Sequence, residues 1–324
     1  VCFASEAGGS FFFCAVLLAY APPKNTMRCA AVFAGFDYGT SHCSLALRRQ
    51  GKVQLAALEQ GATMVPSTLW APQINLDLKT ANQRLDLASP TFLRLRFGEA
   101  ALAAYLQDPT EGYFVKSPKS FLGAPGLSAE VQERFVFIVA AMMANVRERA
   151  EADLAAELTQ VVIGRPVNFQ SASGDVQNNQ AIGMLTDAAR LAGFREVNFL
   201  YEPMAAAIEY ESRLTQEQLV LVVDVGGGTT DCSFVRVGPK QSQQLDRSQD
   251  VLGHSGERLG GNDYDQVLAL EAVMPALGLG ALLSNGRLVP NHYLVDAVST
   301  NDVNAQQRFY SKDVLERLQQ LQID

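Results

Sequence analysis

Basic residues are scarce in this 324-residue chain: 26 Lys and Arg stand against 34 Asp and Glu, for a formal net charge of −8 and a pI near 5.0. An acidic chain without a Lys/Arg cluster excludes nucleic acid as a partner, because such binding is dominated by phosphate neutralisation. Cysteine is also sparse. The five, at positions 2, 14, 29, 43 and 232, are odd in number and include no Cys-x-x-Cys pair. That excludes a disulfide framework or zinc site and points to a reducing compartment, hence a cytoplasmic location. Long apolar runs are missing as well. The run Phe11 to Ala21 is too short to cross a bilayer, so no membrane partner is expected. It lacks a basic segment before it, and the chain begins with Val; Met27-Arg28 is a more natural start. Residues 1–27 are therefore expected to be an upstream extension, with an export signal as the alternative, and carry no fold argument.

The chain as a whole is 48% apolar and 19% charged, ordinary globular composition, enough for a large core and two lobes. Strands are predicted over 31–37, 43–49 and 52–58. Residues 72–97 are patternless and read as a surface insertion. A short helix follows Gly98, then Phe114 to Gly123 reads as a loop carrying Lys116 and Lys119. The strongest helical pattern is 128–158, with Ser128 as N-cap and Val131, Phe135, Ile138, Val139, Met142, Met143 and Val146 at three- and four-residue spacing. Strands 161–163 and 197–200 alternate with helices 175–192 and 203–213. Residues 219–225 read as an apolar strand in the middle of a covered sheet, with 230–237 returning beside it. Residues 261–274 and 311–321 read as helices. The alternation indicates α/β with mixed sheets.

Two segments look like copies of one device. Phe36-Asp37-Tyr38-Gly39-Thr40-Ser41-His42-Cys43-Ser44 and Val223-Asp224-Val225-Gly226-Gly227-Gly228-Thr229-Thr230-Asp231-Cys232-Ser233 each run from a strand ending in aspartate, through a glycine turn and hydroxyls, to a Cys-Ser pair. The cysteines fall at matching places and read as packing residues. The 187 residues between Asp37 and Asp224 are one lobe's worth and far beyond solenoid periods. A duplicated two-lobe architecture with a cleft between the lobes is expected. Glycine turns after buried strands let backbone N–H groups approach phosphate, and Thr40, Ser41, Thr229 and Thr230 add donors. Asp37 and Asp224 facing one cleft would repel unless a cation such as Mg²⁺ lay between them. Lys119 would neutralise charge on a terminal phosphate, and Asp231, Glu202 or both would orient or deprotonate water. Taken singly, Gly260-Gly261 could be a helix cap, Glu202 a capping carboxylate, Lys119 a solvated lysine and His42 a packing residue.

Together these segments resemble the actin-like ATPase superfamily, and within it the nucleotide-binding domain of DnaK-type, seventy-kilodalton heat-shock chaperones. The residues are Phe36 to Ser41, Val65-Pro66-Ser67, Lys119 to Gly123, Val161 to Pro166, Glu202 to Ile208, Val223 to Asp231 and Leu259 to Asp265. Phe114 to Gly123 and Tyr201-Glu202-Pro203 look like the YegD-type branch. The resemblance implies the ribonuclease H-like duplicated fold, an ATP/ADP site with Mg²⁺, and ATP hydrolysis in the service of protein folding. It places Asp37 and Asp224 near the metal and Lys119, Glu202 and Asp231 at the reaction. Gly39, Thr40, Ser41, Gly226, Gly227, Gly228, Thr229, Thr230, Gly260 and Gly261 would lie at the nucleotide, and Pro166 matches the residue that relays nucleotide state. Client polypeptides and co-chaperones would act through regions outside this chain. Residues 28–216 would form lobe I and 217–324 part of lobe II.

The departures are Gly174 where the family's relay arginine is expected and no glycine pair after Gly261. A C-terminally truncated second lobe with half an adenine pocket and weak ATP affinity is therefore expected. A sugar kinase or exopolyphosphatase, or an actin-like filament or assembly protein, are the competing readings.

Overall fold

The structure is a computed structural model that describes residues 33–49, 52–72, 88–109, 111–124, 126–169, 175–244, 247–299, 302, 305, 308–309 and 311–323. The upstream extension, its apolar run, Gly174 and residues 73–87 lie outside the described residues. The elements in chain order are β1 (Phe33–Tyr38), β2 (His42–Arg49), β3 (Lys52–Leu55), β4 (Val65–Pro66), β5 (Thr68–Pro72), α1 (Pro90–Arg94), β6 (Arg96–Phe97), α2 (Glu99–Gln107), β7 (Gly112–Lys116), α3 (Ala129–Leu154), β8 (Gln160–Arg165) and α4 (Asp175–Leu191). There follow β9 (Glu196–Tyr201), α5 (Glu202–Glu211), β10 (Gln218–Val225), β11 (Thr230–Val237), β12 (Val251–Glu257), α6 (Gly261–Leu268), α7 (Asn291–Val298) and α8 (Lys312–Ile323).

The mixed α/β class expected from the sequence is what the chain forms. The largest sheet runs β3-β2-β1-β8-β9, with β4 paired to β2. Its centre is parallel, β1 beside β8 and β8 beside β9, so both faces must be covered. One face carries α3 and α4, whose apolar stripes bury Val139, Met143, Leu154, Ala181 and Leu185 with Phe36, Leu45 and Ile163 of the sheet. Each such large side chain contributes about 1.5–3 kcal/mol on burial. Ser128 caps α3 by accepting a hydrogen bond from the Val131 amide. Arg147 of α3 is buried. It donates to the carbonyls of Leu158 (2.7 Å) and Ala192 (3.0 Å), tying the helix to the loop before β8 and to the end of α4.

The other face of this sheet meets α5, and α5 meets a second sheet in the order β10-β11-β12. Met204, Ala205 and Ala207 pack between Phe33 and Val162 on one side and Val222, Val235 and Val237 on the other. A helix held between two sheets needs short side chains, and Ala205 and Ala207 supply them, while Ala206 between them is exposed. β5, β6 and β7 form a third, antiparallel sheet.

Four expectations are corrected. β10 is an edge strand, and its second face is open: Leu219 is 64% exposed and Val225 58%, with Phe234 of β11, opposite Leu221, at 54%. Only Val222 of the apolar run is buried, since side chains alternate across a strand and α5 covers one face alone. The 72–97 segment is not wholly irregular, since it contains α1, capped by Ser89, and β6, which pairs with β5. The 114–123 segment begins as strand β7 before its 3₁₀ turn Pro118–Phe121. The two cysteines do not match in register: Cys43 lies opposite Tyr38, after Asp37, whereas Cys232 lies opposite Val223, before Asp224.

Candidate functional site

The two hairpins are copies in geometry as well as in composition. Asp37 pairs across its ladder with Ser44, and Asp224 pairs with Asp231, seven positions on in each case. The Gly39 amide closes the first turn on the His42 carbonyl (3.0 Å), and the Gly226 amide closes the second on the Thr229 carbonyl (2.8 Å), again at equivalent positions. This alignment sets Asp231 against Ser44, so only the second copy carries an added carboxylate.

The turns meet face to face. Ser41 packs on Gly227, where a Cβ would overlap the Ser41 hydroxyl, and Thr40 packs on Gly228, where a Cβ would lie 2.9 Å from its methyl group. Counted from each aspartate, the fourth residue of one copy touches the third of the other, and the reverse. That is a local two-fold relation within one chain. Glycine is needed here for close approach, since a side chain on either loop would separate the turns.

Lys119 enters from the 3₁₀ turn Pro118–Phe121. Ser117, which starts that turn, has a left-handed backbone (φ 56°), uncommon for a non-glycine residue, and a buried hydroxyl without a hydrogen-bond partner. Its amide donates to the Ser67 carbonyl (2.8 Å), while the Ser67 amide donates to the Ser41 carbonyl (2.8 Å) and its hydroxyl to the Gly39 carbonyl (2.7 Å). Ser67 therefore couples the first turn to the lysine turn. The sequence offers only a Pro-Ser step after a short strand as its signal. Lys119 is buried and pairs with Glu202, the first residue of α5, at 2.5 Å. Burial is the largest influence on its ammonium and lowers its pKa, but Glu202, Asp37 and Cys43 together outweigh it and leave it raised.

Four carboxylates surround this lysine. Asp224 is pushed up to about 7 from the ordinary 3.8, first by the protein packed around its carboxyl, then by Glu202, Asp231 and Asp37, with Lys119 opposing. The residue is open to solvent along the strand, which tempers the shift; the three neighbouring acids push it in the same direction. Asp231 is raised too, by burial and Glu202, against the Thr229 hydroxyl, which donates to it at 3.0 Å. Among the described residues no three acidic, histidine or cysteine side chains form a metal cage.

Other sequence-predicted residues, Thr230, Gly260 and Gly261, lie at the second turn. The Thr230 hydroxyl donates to the Leu259 carbonyl (2.7 Å). Gly260 and Gly261 brace the second turn: the Gly261 amide donates to the Gly226 carbonyl and the Asn262 amide to that of Gly227. A Cβ on Gly260 would lie 2.6 Å from the Gly227–Gly228 peptide, so only glycine fits. Asp263 accepts from the Gly260 amide (2.8 Å), capping α6. Beside the junction, a cavity of about 290 Å³ opens between Ser120 and Gly228 on one side and Arg258, Asp263 and Gln266 on the other. A larger one, about 460 Å³, lies behind the first turn between His42, Met64 and Glu99, and none of the converging carboxylates lines it. His42 is among the residues that line that cavity.

A family model described as Hsp70 protein matches residues 33–274. The chaperone protein HscA of Yersinia enterocolitica is 32% identical over 245 residues, covering 73% of this chain and 36% of that protein. The HscA homolog of Vibrio campbellii is 30% identical over 257 residues, covering 78% and 39%. That of Rickettsia bellii is 28% identical over 241 residues, covering 74% and 37%. The chain spans a little over a third of the length of these relatives.

Proposed function

The chain belongs to the Hsp70 family, and from that premise we propose that it binds ATP and ADP where its two aspartate-ended turns meet, and hydrolyses ATP. The observation that carries the reading is the local two-fold contact of Ser41 with Gly227 and Thr40 with Gly228, ringed by Asp37, Asp224, Asp231 and Glu202 around one buried lysine. Turn amides and hydroxyls of Gly39 to Ser41 and Gly226 to Thr229 suit phosphate oxygens.

Asp224, raised by burial and then by repulsion from its neighbouring acids, with no three-ligand cage among the described residues, fits a hard cation held by one or two carboxylates, water and phosphate. Asp37 and Asp224 would hold Mg²⁺ in that way, and the ion would supply charge neutralisation on the phosphate oxygens. Lys119 would leave Glu202 to meet the terminal phosphate, offsetting charge as the bond to the bridging oxygen breaks. Glu202 and Asp231 would orient the attacking water and accept its proton as its oxygen bonds to phosphorus; the Asp231 carboxyl, raised by burial and by the Glu202 charge, suits that exchange.

In this reading residues 28–216 form one lobe and 217–324 part of the second, with α5 as the packing between them. Unfolded client polypeptides and co-chaperones would act through parts of a longer protein, in the cytoplasm. The finer placement in the YegD-type branch rests on Phe114 to Gly123 and Tyr201 to Pro203.

Calorimetric titration of this chain with Mg-ATP and Mg-ADP tests the reading. Binding, with turnover abolished in Lys119→Ala and Asp224→Ala, is expected. Absence of binding at millimolar nucleotide would overturn it. Turnover stimulated by a sugar, or sedimentation of long polymers with ATP, would favour the kinase or the filament instead.

A further inference from the structure

The β10-β11-β12 sheet has one face against α5 and one face open, and the register says which residues share the open one. Side chains alternate across a strand. Val222, Val235 and Val237 are buried toward α5. Leu219, Leu221, Val223 and Val225 of β10 therefore share the other face with Cys232, Phe234 and Arg236 of β11. Ser255 of β12 pairs with Cys232, and Glu257 pairs with Thr230, which adds them to it. Asp224 and Asp231 alternate onto the α5 side, so this surface lies apart from the converging carboxylates, whatever they bind.

The open face is graded in bulk and in charge. One half carries Leu221 and Phe234, opposite each other across the ladder. The other half carries Val223, Cys232 and Ser255, which are smaller. Exposed Leu252 is the extra residue of a β-bulge beside Phe234 and widens the bulky half. Arg236 stands at the bulky end and Glu257 at the small end. Within its own chain Arg236 is only loosely engaged, 3.9 Å from Glu217, and both side chains are open to solvent.

We propose that this face docks on the same face of a second copy of the chain, forming a weak symmetric dimer. A two-fold axis across the strands, above Ser233, reverses one sheet's strand direction relative to the other. It sets Leu221 and Phe234 of each copy over Val223, Cys232 and Ser255 of the other, bulk against hollow. It also sets each Arg236 over the corner that holds Thr230 and Glu257 of the other copy. Packed sheets lie about 10 Å apart, a gap that an arginine and a glutamate span together. One surface thus supplies both halves of the match in shape and in charge, the condition for an isologous interface.

Size sets the strength. β10 and β11 have eight residues each in a three-stranded sheet. At ~3.4 Å per residue and ~4.8 Å per strand the face measures roughly 27 by 14 Å, so about 800 Å² is buried over two copies. That is below the range of permanent interfaces, and a Kd on the order of 100 μM is expected.

Sedimentation velocity of the whole chain without nucleotide, from about 5 to about 500 μM to bracket that Kd, tests the proposal. A reversible monomer–dimer equilibrium is expected. Phe234→Ser should weaken it about 10-fold, as for a central aromatic anchor. Arg236→Glu and Glu257→Arg should each weaken it about 5-fold, and the two together should restore it to within about 3-fold of the parent chain. Circular-dichroism melts check that each variant folds. A chain that stays monomeric at the highest concentration overturns the proposal and gives the face to a different occupant. A dimer untouched by Phe234→Ser, or a double reversal no tighter than either single one, overturns it as well. So does assembly growing beyond the dimer, the mark of pairing along the β10 edge.

Discussion

Ser41 sits directly on the Cα of Gly227, hydroxyl against the face where any other residue would carry its side chain. Two segments separated by most of the chain thus share a surface that neither can form alone. Gly227→Ala should force the turns apart and lower stability by about 1–3 kcal/mol, the range for overpacking. Because both the Cβ and the hydroxyl of Ser41 crowd that position, adding Ser41→Gly should restore much of the melting temperature. A double variant no more stable than Gly227→Ala would show that the turns do not touch in solution.

Lys119 and Glu202 form a nearly buried ion pair, 8% and 17% exposed, so removing one partner strands the other. Lys119→Met should cost roughly 3 kcal/mol and Lys119→Met with Glu202→Gln clearly less. Denaturant titration of the four species gives the coupling directly, and a coupling near zero would contradict the pair.

Asp224 holds its proton more tightly folded than unfolded, because its pKa rises from 3.8 to about 7. Between about pH 4 and pH 7 the folded state therefore carries more protons than the unfolded state, and stability falls as pH rises through that window. Asp231, shifted in the same direction, adds to the slope. Asp224→Asn should flatten the dependence and raise the melting temperature at pH 8 in the absence of nucleotide. Melting curves from pH 4 to 8 that keep the full slope in this variant would remove Asp224 as its cause.

Arg247 and Glu211 make a two-pronged bond (2.9 Å each) buried behind β11; Asp250 touches the same guanidinium, and the Gly238 amide donates to Glu211. Glu211→Ala should destabilise by about 3–5 kcal/mol. Replacing Glu211, Arg247 and Asp250 together with apolar residues of similar size should recover most of it, measured by urea unfolding.

Burial pushes the Cys43 thiol up to about 12. It should resist alkylation in native protein at pH 8 and react on unfolding, which mass spectrometry of iodoacetamide-treated samples would read.

Much of the site was visible in the chain. Asp37, Gly39 to Ser41 and Asp224 to Asp231 declare themselves because a turn that must approach both phosphate and a second turn tolerates few residue types. Helix α3 and its cap were equally legible, since a long stripe with a serine before it admits one reading. The segment around Lys119 pointed to the lysine but not to Glu202 as its partner. That pairing depends on the meeting of the 3₁₀ turn with the start of α5, 83 residues away.

The sequence by itself determined the α/β class, the repeated turns and their acids, because strand periodicity and glycine chemistry are local. Tertiary structure decided the rest. It placed the two turns across a local two-fold, and it tied Gly261 and Asn262 to the second turn through backbone amides, which no side chain announces. It left one face of β10 open, which apolarity alone could not reveal. These are long-range relations, set by which surfaces meet, and no local pattern records them.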